Sequence, residues 1–275
     1  MYTDYWELAK KPFENSNDTS FFYFSPVHRE AFSRMVYSVK EHKAGFLLIG
    51  DYGTGKTLLS TALKKECSEG KFKFVIISNP RVEPLEFIKE INYQLDGTLG
   101  PSGPPTKLDY LRSIFIALDK NYNDGFYPVI IIDETQSIER EDLLEEIRLL
   151  LNIQREDGIL FTLVLLGQPA FQDKLDKIPQ LKQRLSIRYH ISPLDRENTR
   201  NYIKHRLNVS GLNKDIFSES GYEEIYSLSG GVPRAINNIC DLALLTGFIQ
   251  HKNLIDKDII IQVGKDLEGN LKKEV

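Results

Sequence analysis

The chain of 275 residues is 41% hydrophobic and 27% charged, which supplies one large core or two smaller ones and excludes a disordered or fibrous protein. Lys and Arg number 35 against 39 Asp and Glu, and the net charge of −4 excludes nucleic-acid binding by bulk charge, though not through a local patch. The longest apolar run, 159–166, falls far short of the roughly 20 residues a membrane helix needs, and no basic-then-apolar leader opens the chain, so it reads as soluble and cytoplasmic.

In chain order, a helix is expected over 27–43, a strand at 45–49 and a helix over 55–67. A strand at 72–78 precedes helices over 85–95 and 107–121. The Gly/Pro-dense stretch 96–105 between those helices reads as an exposed connector or a loop that contacts a partner. Then come a strand at 128–132, a helix over 139–153 with Leu143, Ile147, Leu150 and Leu151 on one face, and strands at 159–166 and 187–191. This alternation predicts an α/β fold with a five-stranded parallel sheet flanked by helices. After Pro193, helices are expected over 195–209, 220–228, 232–249 and 256–266, the third opened by Gly230-Gly231 and Pro233. The expected domains are therefore an opening segment at 1–26, an α/β core at 27–193 and a small all-helical domain at 194–275. Cys67 and Cys240 lack metal-ligand spacing and read as buried thiols of a reducing compartment.

Gly50-Asp51-Tyr52-Gly53-Thr54-Gly55-Lys56-Thr57 matches G-x-x-x-x-G-K-[ST] without a gap, between an expected strand and an expected helix. The glycines let main-chain N–H groups turn toward phosphate oxygens, in a cradle read as running to Leu58, and the helix start adds the positive end of its dipole. Lys56 brings a point charge to the β- and γ-phosphates, and the Thr57 hydroxyl suits Mg²⁺. The cofactors expected are ATP and Mg²⁺.

A second element lies 77 residues beyond Lys56, where the apolar run Val129-Ile130-Ile131-Ile132 ends in Asp133-Glu134. Asp133 is placed to hold Mg²⁺ through water, and Glu134 to orient and polarise a water for phosphoryl transfer. A Glu directly after the Asp favours hydrolysis over phosphorylation of a small molecule. Gln168, after the fourth strand, reads as a contact to the γ-phosphate or the water, or as a polar cap before Pro169. Further on, 174–206 holds nine Lys/Arg against three acids, while 133–146 holds seven acids and one base. The basic stretch reads as a face that meets a neighbouring subunit's acidic nucleotide side, as a nucleic-acid patch, or as a solvated helix surface.

Phosphate loop, acidic strand end, polar fourth strand and helical tail together resemble an AAA+ ATPase: a P-loop core followed by a helical lid. The opening, with Tyr5-Trp6, Pro12-Phe13 and Phe21-Phe22-Tyr23-Phe24-Ser25-Pro26-Val27-His28-Arg29, resembles the general secretion pathway ATPase family more specifically. Asp133-Glu134-Thr135-Gln136, Leu166-Gly167-Gln168-Pro169, Leu181-Lys182-Gln183-Arg184 and Gly231-Val232-Pro233-Arg234 extend that match. The resemblance implies that Gln168 is the first sensor, Arg234 a second sensor acting within its own subunit, and Arg184 an arginine finger acting on a neighbour, with Arg188 its competitor. It places His28 and Phe24 near the adenine, where plain aromatic packing is the other reading, so the opening segment is expected beside that site. Arg148 and Asn152, one turn apart, read as interface residues or as a solvated face.

The partners implied are further copies of the chain, as a ring or filament with nucleotide at subunit interfaces, and a protein client of secretion or envelope assembly. Secretion members typically add a membrane span and a peptidoglycan-binding region, which these 275 residues do not show; peripheral association with the inner membrane through a partner is expected instead. The same core resembles the TniB-type ATPases that regulate DNA transposition, for which double-stranded DNA would be the partner.

Overall fold

The computed structural model describes residues 1–16, 18–68, 70–96, 105–156 and 158–271. The chain runs α1 (Tyr2–Tyr5), α2 (Pro26–Lys40), β1 (Gly45–Gly50), α3 (Lys56–Glu66), β2 (Phe72–Ile77), α4 (Pro84–Asp96), α5 (Lys107–Asn123) and β3 (Tyr127–Ile132). Then follow α6 (Glu141–Leu150), β4 (Gln154–Arg155), β5 (Gly158–Ile159), β6 (Thr162–Gly167), α7 (Ala170–Asp176), α8 (Pro179–Arg184) and β7 (Ile187–Ile191). Four helices complete it: α9 (Arg196–Val209), α10 (Glu219–Ser229), α11 (Pro233–Ile249) and α12 (Lys257–Leu271). The stretch 97–104, read as connector or partner loop, lies outside the described residues. Two compact units are present, one of His28–Tyr52 with Leu59–Ile191, the other of Met1–Val27 with Gly53–Leu58 and Ser192–Val275.

The first unit is the expected five-stranded parallel sheet, in the order β2-β3-β6-β1-β7. Every residue of β1, β3 and β6 is buried, as strands covered on both faces require, whereas the edge strands β2 and β7 are only partly buried. Leu47, Ile130, Ile132 and Leu165 pack with Phe87 and Ile91 of α4, Ile114 of α5, Ile147 of α6 and Phe171 of α7. The run expected as one strand at 159–166 is instead two. Ile159 belongs to a two-residue hairpin opposite Gln154, and β6 begins only at Thr162, whose hydroxyl donates to the Lys43 carbonyl at 2.7 Å. Leu160 and Phe161 link the two strands and are buried, so hydrophobicity runs on where sheet pairing stops.

The second unit contains α9–α12. Asp195 accepts from the Asn198 N–H at 2.7 Å and Ser218 from the Gly221 N–H at 3.0 Å, capping α9 and α10, and Pro233 opens α11. The aromatic opening of the chain is part of this unit's core, where Tyr2, Trp6, Leu8 and Phe13 pack among Leu207, Phe217, Ile236 and Leu244. The Trp6 indole N–H donates to the Leu244 carbonyl at 2.9 Å. Arg206, only 5% exposed, donates to the carbonyls of Pro12 at 2.5 Å and Glu14 at 2.8 Å and to the Tyr202 hydroxyl at 2.9 Å. Arg206→Ala removes the donor from the buried Pro12 carbonyl and from the Glu14 carbonyl, while the Tyr202 hydroxyl keeps its bond to Asn237. It should cost about 2–3 kcal/mol, seen as a lowered melting temperature and as earlier proteolysis within 1–27. A variant that melts and digests like the parent would show that Arg206 does not hold the segment.

Both cysteines are buried and free. Among the described residues no helix is long and apolar enough to cross a membrane.

Candidate active site

Since β1, β3 and β6 are parallel neighbours, their C-terminal ends share one edge of the sheet, the usual ligand edge of an open α/β fold. β1 runs there into Gly50, Asp51 and Tyr52, β3 into Asp133 and Glu134, and β6 into Gln168. Asp133 is 6% exposed; its N–H donates to the Ile77 carbonyl at 2.9 Å and its Oδ1 accepts from the Glu134 N–H at 2.8 Å. The chain then turns sharply. Glu134 has φ +53°, a left-handed backbone that a glutamate rarely adopts.

The next residues clasp this turn to β6. The Thr135 hydroxyl, fully buried, donates to the Leu166 carbonyl at 3.1 Å. The Gln136 side chain donates to Glu134 Oε2 and accepts from the Gln168 N–H at 3.0 Å. Lys174 Nζ holds the carbonyls of Gln136 at 2.7 Å and Ile138 at 2.6 Å. Gly167 has to be glycine, because a Cβ there would press into the Thr135 hydroxyl. Asp133, Glu134 and Gln168 are thus brought together through Thr135 and Gln136, to which the motif reading gave no role; the polar pair directly after the two acids was the available signal.

The second half of the phosphate loop belongs to the helical unit. Gly53 at φ +81° and Gly55 at φ +95° use the backbone freedom that the motif reserves for glycine. A Cβ on Gly53 would lie 2.8 Å from Arg234 Cβ and 3.2 Å from Val232 Cγ1, and the Gly53 carbonyl accepts from the Arg234 N–H at 3.3 Å. The second-sensor candidate, at the start of α11, therefore packs directly on the loop. Thr54 is fully buried, Lys56 is 8% exposed, and α3 begins at Lys56, followed by Thr57 and Leu58. His28, near the start of α2, is buried.

The two finger candidates differ in their bonding. Arg188 donates through Nε to the Leu185 carbonyl at 2.9 Å and through Nη2 to that of Lys182, so its guanidinium caps the end of α8. Arg184 is half-buried, and among the described residues its guanidinium makes one long hydrogen bond, 3.5 Å to Asn152 Oδ1. Arg148 is drawn instead to Glu145, at 2.6 Å.

The nine cations of 174–206 do not form one bare patch. Lys174, Arg188 and Arg206 are spent on main-chain carbonyls. Lys177 pairs with Glu141, Lys182 with Asp176, Arg196 with Glu223, Arg200 with Glu219 and Lys204 with Asp215. In the acidic stretch, Arg140 is held between Asp142 and Glu83, and its hydrogen bond keeps the Asp142 carboxyl below the ordinary carboxylate range.

The comparisons with known proteins bear on the fold and the family. Residues 39–175 match the family described as an AAA domain. General secretion pathway protein A of Aeromonas hydrophila is 32% identical over 260 residues, 93% of this chain but 46% of that protein, so the chain spans about half of its relative's length. Among solved structures, the Pyrobaculum aerophilum Cdc6p superposes with a TM-score of 0.69 at 16% identity, covering 86% of this chain and 68% of the other. The Aeropyrum pernix ORC2 protein, solved in ADPNP–ADP complexes, superposes at 0.66 with 17% identity over 90% of this chain and 71% of its own. The Thermotoga maritima RuvB Holliday junction branch migration motor does so at 0.59 with 17% identity, over 94% and 73%. With its phosphate-loop glycines in left-handed conformations, its acidic strand end clasped to the fourth strand and these likenesses across nearly its whole length, the chain belongs to the AAA+ ATPases.

Proposed function

We propose that the chain hydrolyses ATP with Mg²⁺ at the interfaces of an oligomer and uses the cycle to drive or regulate assembly of secretion or envelope machinery, acting on a protein client. The observation that supports the catalytic part is the clasp at the ends of β3 and β6, which ties the Glu134 carboxylate through Gln136 to the main chain of Gln168 on the ligand edge of the sheet. In this reading the main-chain N–H groups from Gly50 to Leu58 and the Lys56 ammonium receive the phosphates, and His28 lies on the adenine side. The residues present suit the metal: Thr57 and Asp133 offer hard oxygen donors, and Mg²⁺ would neutralise charge on the phosphate oxygens. Glu134 orients a water whose oxygen bonds to the γ-phosphorus as the bond to the β–γ bridging oxygen breaks, giving ADP and phosphate. Gln168 and Arg234 read the γ-phosphate from within the subunit, and Arg184 acts from the next one.

The client is inferred from likeness to general secretion pathway protein A, of which this chain matches only part. The other reading, an ATP-dependent DNA-binding regulator of a transposase, needs an open cationic face, and the pairing of the 174–206 cations weighs against that stretch supplying it. Filter binding with duplex DNA, with and without ATP at two salt concentrations, decides between them. Little retention that ATP does not change is expected. ATP-dependent retention that falls steeply with salt would move the function to DNA.

A further inference from the structure

The Gln136 carboxamide spans two groups that dictate which way round it lies. A carboxylate such as that of Glu134 only accepts hydrogen bonds, and a main-chain N–H such as that of Gln168 only donates. Nε2 therefore faces Glu134 Oε2 and Oε1 faces Gln168. A glutamate here could keep the bond from Gln168 but not the one to Glu134; a methionine of similar length could make neither. Lys174 fixes the main chain of Gln136 by donating to its carbonyl at 2.7 Å, so the side chain starts from a set point. Among the described residues, the hydrogen bond to Glu134 reaches Oε2 and none reaches Oε1. One carboxylate oxygen is anchored while the other is left for water.

We propose that Gln136 is a positioning residue of the hydrolysis: it anchors one oxygen of Glu134, keeps the other available to the attacking water, and ties that carboxylate to the main chain of Gln168. The proposal rests on Glu134 being the group that orients the water. Its consequence is coupling. A shift of the Gln168 main chain when the γ-phosphate arrives or leaves is passed through one side chain to the carboxylate, with no movement of the rest of β3 required.

The test uses the whole chain as Gln136→Met, Gln136→Glu, Glu134→Gln and the double variant Glu134→Gln with Gln136→Met. ATP affinity is read by equilibrium binding, and kcat and KM from steady-state phosphate release. Gln136→Met should bind ATP within about twofold of the parent and lose about 10–10²-fold in kcat, because a misplaced reacting group costs turnover rather than binding. Gln136→Glu, which sets two carboxylates against each other, should lose at least as much. The double variant should be no slower than Glu134→Gln alone, since a residue that acts through the carboxylate has nothing to position once the carboxylate is gone. A merely structural role would instead lower the melting temperature, weaken ATP binding and multiply with the Glu134 loss. A kcat for Gln136→Met within about threefold of the parent, or multiplying losses in the double variant, overturns the proposal while leaving Glu134 in its role. Parental turnover in Glu134→Gln overturns both. If Gln136→Met does not fold, Gln136→Glu is judged by the same readings.

Discussion

Glu134→Gln should bind ATP as tightly as the parent and hydrolyse it about 10²–10³-fold more slowly, the range in which a positioned acid–base group contributes. The substitution is unusually clean in this fold. The new carboxamide keeps an oxygen that can accept from Gln136, so the clasp to Gln168 and the left-handed turn at φ +53° can persist. What is removed is the negative charge that polarises water. Labelled ATP should be retained on a filter for many parental turnover times, while steady-state phosphate release nearly stops. Unchanged release would remove Glu134 from the mechanism.

Arg184→Ala should lose about 10–10³-fold in turnover while still binding ATP, less than the 10³–10⁵-fold of GTPase fingers because a second arginine lies close by. The bonding of the two arginines limits substitution of one for the other and moves the expectation toward the upper end of the range. Arg188 is engaged with the carbonyls of Leu185 and Lys182, whereas Arg184 has one long bond to Asn152 to give up. An arginine donated by a neighbour acts only when the neighbour is present, so specific activity should also rise with protein concentration. The decisive measurement mixes Arg184→Ala with Lys56→Ala. The first keeps a working pocket without the finger; the second loses ATP binding with its phosphate-facing charge but keeps the finger. Activity should reappear where the two meet in the right order. No recovery at any ratio, with mixed assembly verified separately, would refute action on a neighbour, and full activity in a demonstrated monomer would refute the shared site altogether.

How far the sequence reaches differs by element for physical reasons. β1, the phosphate loop and α3 were legible because the chemistry restricts residue type at fixed spacing: glycines where φ is positive, a lysine and a threonine at the helix start. β3 was legible because burial on both faces leaves it uniformly apolar. The same cue misplaced the start of β6, since Leu160 and Phe161 are buried without being paired in the sheet. α7 and α8, seven and six residues long, are too short to display a helical period. The clasp left only the polar pair after the two acids as a signal: Thr135 and Gln136 bond to main-chain atoms 31 and 32 residues away, and no local pattern encodes such a bond. The opening segment announced its aromatic content but not its destination, because Trp6 finds its hydrogen-bond acceptor 238 residues further along.

That last contact bears on how the chain is made. Trp6, Phe13 and Phe21 leave the ribosome well before their cover, for the helices that bury Trp6 and Phe13, and the Arg206 guanidinium that lies over the Phe21 ring, come from residues 196–271. At about 5–20 residues per second, translation leaves these rings without their native cover for roughly 10–50 s. The sheet, built almost wholly from residues 28–191, can close meanwhile. Synthesis therefore imposes an order, sheet first and helical unit last, during which an apolar leading segment is held in waiting. In that interval the chain exposes aromatic side chains that the finished helical unit hides.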